Sequence, residues 1–186
     1  NETTPSQETI DASLKFGKWV NEKYSTPVFF YDYASDDKTT LPQIRRAFSS
    51  TLSLYGAMCI GARKPLLAIN VNVESTDIKL AKTIAKTIRE SNGGIKGVRA
   101  IGLELESQNR VQVSMNIVDT INTNAAEVCL EIREILRLSP QNDVNSTCQV
   151  ELVGLVPMHQ YAKWDNEFIS WSTIDESYTV ESRLSS

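Results

Sequence analysis

The sequence is poor in the residues that build metal, disulfide and redox sites. It has one histidine and three cysteines among its 186 residues. Cys59, Cys129 and Cys148 lie far apart along the chain, and no two of them form a CxxC pair. We therefore predict reduced, core-facing cysteines in a cytoplasmic protein, and no metal site.

Long apolar runs and an excess of positive charge are missing as well. No hydrophobic run approaches the ~20 residues that a membrane-spanning helix needs. The net charge of −4 is unlike the basic charge of a general nucleic-acid binder. We expect neither a membrane span nor a nucleic-acid partner. Because the polar start lacks a methionine, we also expect the natural protein to continue upstream of Asn1.

What is present is a regular succession of strand and helix patterns after residue 65. Apolar residues recur with period two in the predicted strands, which are 66–73, 98–106, 110–118 and 147–155. They recur with helical spacing in two segments between strands, one capped by Ser75 or Thr76 and the other by Asn122 or Thr123. The order β-α-β-β-α-β predicts an α+β fold, a ferredoxin-like βαββαβ sandwich.

The flanking segments add an N-terminal helix–strand unit and a short tail. Ser6 is expected to cap a helix to about Lys23. Its apolar stripe is Ile10, Leu14, Gly17 and Val20. A strand over residues 27–32 follows, and its ladder partner is expected in the downstream sheet or outside this sequence. In the tail, residues 157–163 predict a short helix and 168–171 a terminal strand.

Alternation along the strands places polar side chains on one face of the predicted sheet. Right-handed crossovers put both helices on the other, apolar face. The polar face would carry Asn70, Asn72, Gln112, Ser114 and Asn116. This set is either an ordinary solvated sheet face or, since amides offer donors and acceptors at fixed positions, a surface for a flat heteroaromatic ligand or for another subdomain.

Several stretches resemble one known family in their order and spacing. They are residues 55–64, 66–72, 111–116 and 149–157. They are similar to the C-terminal subdomain of the formiminotransferase domain found in glutamate formimidoyltransferases and formimidoyltransferase-cyclodeaminases. Residues 4–34 and 41–45 resemble the end of that domain's N-terminal subdomain. The resemblance thus implies three parts: 1–46 as the tail of the N-terminal subdomain, 47–54 as a linker, and 55–186 as the C-terminal subdomain.

The resemblance implies a function for the whole family domain. The family moves a formimino group from formiminoglutamate to tetrahydrofolate, which serves as a substrate in histidine degradation and one-carbon metabolism. It works as a homodimer, and its folate lies in a cleft between two subdomains. Its acid is a histidine of the N-terminal subdomain, which would lie upstream of Asn1. The catalytic residue is therefore unknown here, and the chain alone is expected to be inactive.

The resemblance also assigns ligand contacts to the segment that leads into Gly56, with Tyr55 before it. Arg63 is a further candidate because a guanidinium pairs with carboxylates, although it also fits a solvated turn. These residues and the sheet amides form the expected substrate-binding set. His159, the one histidine, is interpreted as a surface residue at a helix start. The rival function is a non-catalytic folate-like ligand-binding or interaction protein of the same fold.

Overall fold

Two segments of the chain each build a hydrogen-bonded sheet of their own. The computed structural model describes residues 5–47, 56–139 and 148–185. By their contacts these divide into two compact units, Asn1–Lys64 and Pro65–Ser186. Of the predicted linker, residues 47–54, only Ala47 is among the described residues, and the candidate Tyr55 lies outside them.

The first unit begins with the helix that its capping residue predicts. The Ser6 hydroxyl accepts a hydrogen bond from the Thr9 amide, and α1 spans Gln7–Tyr24. Its predicted apolar stripe is buried only at Gly17 and Val20, whereas Leu14 is 39% exposed. Glycine is required at position 17, because an added Cβ would lie 2.4 Å from the Phe30 ring.

The strand of this unit has a partner that the sequence analysis missed. β1 (Val28–Asp32) pairs in parallel with β2 (Met58–Ala62), and α2 (Leu41–Ala47) lies between them along the chain. The prediction that the partner strand lies in the downstream sheet or outside the sequence was therefore wrong. Because β2 pairs with β1, it belongs to the first compact unit, and the boundary between the two units falls after Lys64. The assignment of subdomains remains a prediction.

The second unit contains the predicted β-α-β-β-α-β order. Its strands are β3 (Leu67–Val73), β4 (Val98–Leu105), β5 (Arg110–Ile117) and β6 (Cys148–Val153). They form a four-stranded sheet in the order β4-β5-β3-β6, in which each neighbouring pair is antiparallel. The α+β class is confirmed. β3 and β5 are the central strands, so their alternate residues dominate both faces.

The two helices of this unit begin later than predicted. α3 spans Ile78–Ile88 and is capped by Asp77, whose carboxylate accepts from the Lys79 amide at 2.9 Å. The Ser75 hydroxyl instead accepts from the Asp77 amide, which forms the turn before the cap.

The second helix of the unit, α4 (Ala125–Leu138), is capped by Asn124 rather than by Asn122 or Thr123. The Asn122 side-chain amide donates to the Asp119 carboxylate, and the Thr123 hydroxyl donates to the Lys96 carbonyl. The side chains of both predicted residues thus form hydrogen bonds within the preceding loop. The next polar residue, Asn124, caps the helix instead.

The core lies between α3, α4 and one face of the sheet. The inward-facing side chains of β3 and β5 are almost fully buried: Leu67, Ile69, Val71, Val73, Val111, Val113, Met115 and Ile117. In α4 the helically spaced apolar residues are all buried, namely Ala125, Val128, Cys129, Ile132 and Leu136. In α3 the corresponding residues Ala81, Ile84, Ala85 and Ile88 are buried, and Ile78 is half-buried. On β4, Gly102 lets α3 approach closely, because a Cβ there would lie 2.4 Å from the Lys82 backbone nitrogen.

The tail forms helices where a strand had been predicted. α5 (Met158–Tyr161) agrees with the prediction, but residues 168–171 belong to α6 (Asn166–Ser172), and α7 is Val180–Leu184. The Asp165 carboxylate caps α6 by accepting from the Phe168 amide at 2.7 Å. Phe168 is fully buried and meets the Trp164 ring edge-on, so a helix buries these aromatics. No described helix is long and apolar enough to cross a membrane.

Candidate functional site

The face of the four-stranded sheet that lies away from α3 and α4 carries the predicted polar side chains. Asn70 lies opposite Ser114, and Asn72 lies opposite Gln112, across the antiparallel ladder of β3 and β5. Asn116 continues the same row on β5. We call this surface the open face. The structure thus brings these side chains together, while their role as ligand contacts remains a prediction.

The centre of the open face is buried. Asn70 is 8% exposed and Gln112 is 7% exposed. Asn72 and Ser114 are half-buried, and Asn116 is exposed at the end of the row. A buried amide must find hydrogen-bond partners, since leaving it unpaired costs about 1–3 kcal/mol.

Those partners include Glu151, which sequence reasoning did not place on this face. Glu151 lies on β6 opposite Asn70. Its Oε2 atom accepts from Gln112 Nε2 at 2.9 Å, from Asn70 Nδ2 at 3.2 Å and from Asn72 Nδ2 at 3.5 Å. Gln112 Nε2 also donates to Asn72 Oδ1 at 2.7 Å. The period-two alternation of residues 149–153 was the available signal for Glu151.

Apolar side chains flank this polar centre. Ile101 and Leu103 on β4 are 53% and 37% exposed, and Val153 on β6 is 52% exposed. At one end of the face, Arg110 and Glu74 form an ion pair at 3.4 Å. Polar groups at fixed positions with apolar surface on both sides suit a flat ring system, which needs both hydrogen bonds and hydrophobic contact.

The other predicted contacts belong to the first unit. Gly56 has a φ angle of 78° just before β2, in the left-handed region that favours glycine. Apart from its chain neighbours, no described residue has a heavy atom within 4 Å of the place a Cβ would take. Arg63 is exposed directly after β2. A site that combines either residue with the open face remains a prediction.

His159 is more tightly held than predicted. It is half-buried in α5, and its Nε2 lies 3.0 Å from the Thr120 carbonyl oxygen. Because a carbonyl only accepts, Nε2 carries a proton there. The next residue, Gln160, is fully buried, donates to the Thr120 and Thr123 carbonyls, and accepts from the Ala125 amide. His159 and Gln160 therefore fix the loop before α4.

The cysteines differ in burial. Cys129 is fully buried in α4, as predicted, while Cys59 and Cys148 are half-buried. Burial raises the pKa of the Cys129 and Cys148 thiols above the ordinary value. Within the described ranges, no group of three or more histidine, cysteine, aspartate or glutamate side chains is arranged to hold a metal ion.

Comparisons with known proteins point to one family. The family model described as the formiminotransferase domain matches residues 68–181. A glutamate formimidoyltransferase from Streptococcus pyogenes serotype M1 is 28% identical over 173 residues, which cover 82% of this chain and 56% of that protein. One from Thermoplasma acidophilum is 27% identical, with 97% of this chain and 66% of that protein covered.

A mammalian relative gives a similar result. The formimidoyltransferase-cyclodeaminase of Mus musculus is 32% identical over 179 residues, which cover 82% of this chain and 32% of that protein. This chain therefore spans from about a third to just under two thirds of the length of these three relatives.

Proposed function

This chain belongs to the formiminotransferase-domain family, and on that premise we propose that it supplies the folate-binding half of a transferase. The reaction would move a formimino group from formiminoglutamate to tetrahydrofolate, within histidine degradation and one-carbon metabolism. Tetrahydrofolate is the second substrate of this reaction and no metal takes part in the proposal.

The observation that carries the proposal is the open face. Its amides are fixed by hydrogen bonds to one another and to Glu151, and exposed apolar side chains lie on either side. A pteridine ring is flat, has hydrogen-bonding groups along its edges, and gains from apolar contact over its faces. Asn70, Asn72, Gln112, Ser114 and Asn116 are the proposed contacts.

The contacts from the first unit complete the proposal. Gly56 would allow backbone groups to approach the ligand, and Arg63 would pair with a carboxylate of the glutamate end of folate or of formiminoglutamate. Tyr55, which lies outside the described residues, is the third candidate that the resemblance assigns. All three assignments follow from the family resemblance and from side-chain chemistry.

The chemistry requires one group that we do not assign to this chain. A folate nitrogen attacks the amidine carbon, and the glutamate amine then leaves as a neutral species only if an acid protonates it. His159 Nε2 is hydrogen-bonded to the Thr120 carbonyl, so we give it no catalytic role. We expect the chain by itself to bind folate without turning it over.

Calorimetric titration with 5-formyltetrahydrofolate, a stable reduced folate, tests the proposal. The wild-type chain should bind, and Gln112→Met should weaken binding about tenfold or more, because it removes two hydrogen bonds while keeping the side-chain volume. Gln108→Met, in an exposed turn, is the matched control and should bind like the wild type. Absence of binding by the wild type would count against the proposal.

The alternative function is that of a non-catalytic interaction protein, whose partner would bind the same open face. Ile101, Leu103 and Val153 are exposed together on the open face and could contact another protein or subdomain. This alternative predicts that folate does not bind, and that replacing these apolar residues with serine changes association with that partner only.

We also propose a homodimer in the cytoplasm, as the resemblance implies. Light scattering after size exclusion tests the assembly. A mass of twice the chain's 20.8 kDa agrees with the proposal, and the monomer mass at high protein concentration contradicts it.

A further inference from the structure

The hydrogen bonds around Glu151 determine which atoms the open face presents to a ligand. An ionised carboxylate only accepts hydrogen bonds, so each amide that meets it must turn its nitrogen inward. Gln112, Asn70 and Asn72 all direct their nitrogens at Glu151 Oε2. Their carbonyl oxygens therefore take the opposite positions, and for Asn72 that oxygen accepts from Gln112.

Three acceptor atoms are left over. Among the described residues, no hydrogen bond reaches Glu151 Oε1, Asn70 Oδ1 or Gln112 Oε1. Both hydrogens of Gln112 Nε2 are used, one on Asn72 and one on Glu151. Asn70 and Gln112 are buried, so their orientation is held by packing as well as by hydrogen bonds. The centre of the open face thus offers acceptors and one negative charge.

This geometry points to a ligand edge that donates. We propose that Glu151 Oε1, with Asn70 Oδ1 and Gln112 Oε1 beside it, binds an N–C–N edge whose nitrogens carry hydrogens. The inference rests on the proposed function and adds to it a specificity residue and the chemical class that this residue recognises. Glu151 Oε1 suits such an edge because it accepts one N–H of an amidine or aminopyrimidine in a charge-assisted hydrogen bond, and the neighbouring amide oxygens can accept from the other nitrogen.

Two substrates of the proposed reaction carry this chemistry. The 2-amino-4-oxopteridine of tetrahydrofolate has a ring N–H next to an exocyclic amine, and the formimino group of formiminoglutamate is an amidine. Anionic groups such as the carboxylates of either molecule are excluded from this position, because they would meet the Glu151 charge and outward amide oxygens.

A purely structural role for Glu151 would be to lock β6 to β3 and β5 across the ladder. Glu151→Gln separates the two roles. Its amide oxygen can take the place of Oε2 and keep the three inward hydrogen bonds, while its nitrogen replaces Oε1. The outward acceptor becomes a donor without loss of the network, and the variant should fold. Glu104→Gln, exposed on the same sheet in β4, is the matched control.

The test is calorimetric and uses pairs of ligands that differ only at the N–C–N edge. In the folate arm, 5-formyltetrahydrofolate is compared with its 2-oxo analogue, in which the amine becomes a carbonyl. In the other arm, formiminoglutamate is compared with N-formylglutamate. The wild type and Glu104→Gln should prefer the donating member of one pair, and Glu151→Gln should reduce that preference about 10- to 100-fold. The arm in which the preference changes identifies the substrate.

The outcomes separate this inference from the function on which it rests. If the wild type binds folate or formiminoglutamate and Glu151→Gln keeps the same preference in both arms, the inference is wrong and the proposed function stands. If the wild type binds none of the four ligands, both fail. Circular dichroism and the melting temperature of Glu151→Gln confirm that it is folded. As a second variant, Asn70→Ser removes Oδ1 and should weaken binding of the preferred ligand without reversing the preference.

Discussion

Alternate residues of the same strands build two faces of opposite character. Ile69 and Val71 point toward α3 and α4 and are fully buried among apolar groups. Asn70, between them, points away and hydrogen-bonds to Glu151. One face is stabilised by burial of apolar area and the other by a small network of polar contacts. The apolar face should therefore set the stability of the fold, and the polar face its specificity for a ligand.

The largest expected effect on stability comes from a core residue of β3. Ile69→Ala should lower the free energy of unfolding by about 2–5 kcal/mol, because it removes buried methylene groups and leaves a cavity. Urea unfolding at neutral pH measures it. Ser114→Ala, whose residue is half-buried on the open face, should change stability by less than about 1 kcal/mol. Equal losses of unfolding free energy in the two variants would contradict the claim that the covered face sets the stability.

Gly102 tests how closely the covered face is packed. Gly102→Ala should cost about 1–3 kcal/mol, since the new methyl group would meet the α3 backbone at Lys82 and Ala81. Ile101→Ala, at the neighbouring position on the open face, should stay within about 0.5 kcal/mol. Thermal unfolding of both variants checks this. A neutral Gly102→Ala would mean that α3 does not lie against β4 as described.

The smallest effect concerns the buried thiol of the covered side. Burial raises the pKa of Cys129, so its contribution to stability is fully present below the unfolded pKa of about 8.5 and is lost as the pH rises above it. Between pH 7 and 9.5 this amounts to about 1.4 kcal/mol. Urea unfolding at both pH values should show a smaller decline for Cys129→Val than for the wild type. An equal decline in the two proteins would contradict this prediction.

Local patterns were sufficient to predict most of the second unit. Residues of β3 and β5 alternate so regularly that their buried and open faces follow from the sequence, and the stripes of α3 and α4 follow from helical spacing. The polar residues of the open face were identified for the same reason. In each case a residue's neighbours within a few positions determine which way its side chain points.

The features that were missed depend on less regular patterns or on distant partners. β2 contains Gly61 and pairs with a strand about thirty residues earlier, so its own residues give little strand signal. Phe168 and Trp171 in α6 are three residues apart, a helical spacing, but the apolar run was interpreted as a strand. Glu151 joined the site only because β6 pairs with β3, which the sequence alone does not establish.

A ligand should meet the open face and not the covered one. Side-chain amide resonances of Asn70, Asn72 and Gln112, assigned by substitution and followed by NMR during titration with 5-formyltetrahydrofolate, distinguish the two faces. We expect saturable shifts at these amides and little change at the methyl groups of Ile69 and Val71. Binding that leaves all three amide resonances unmoved would contradict it.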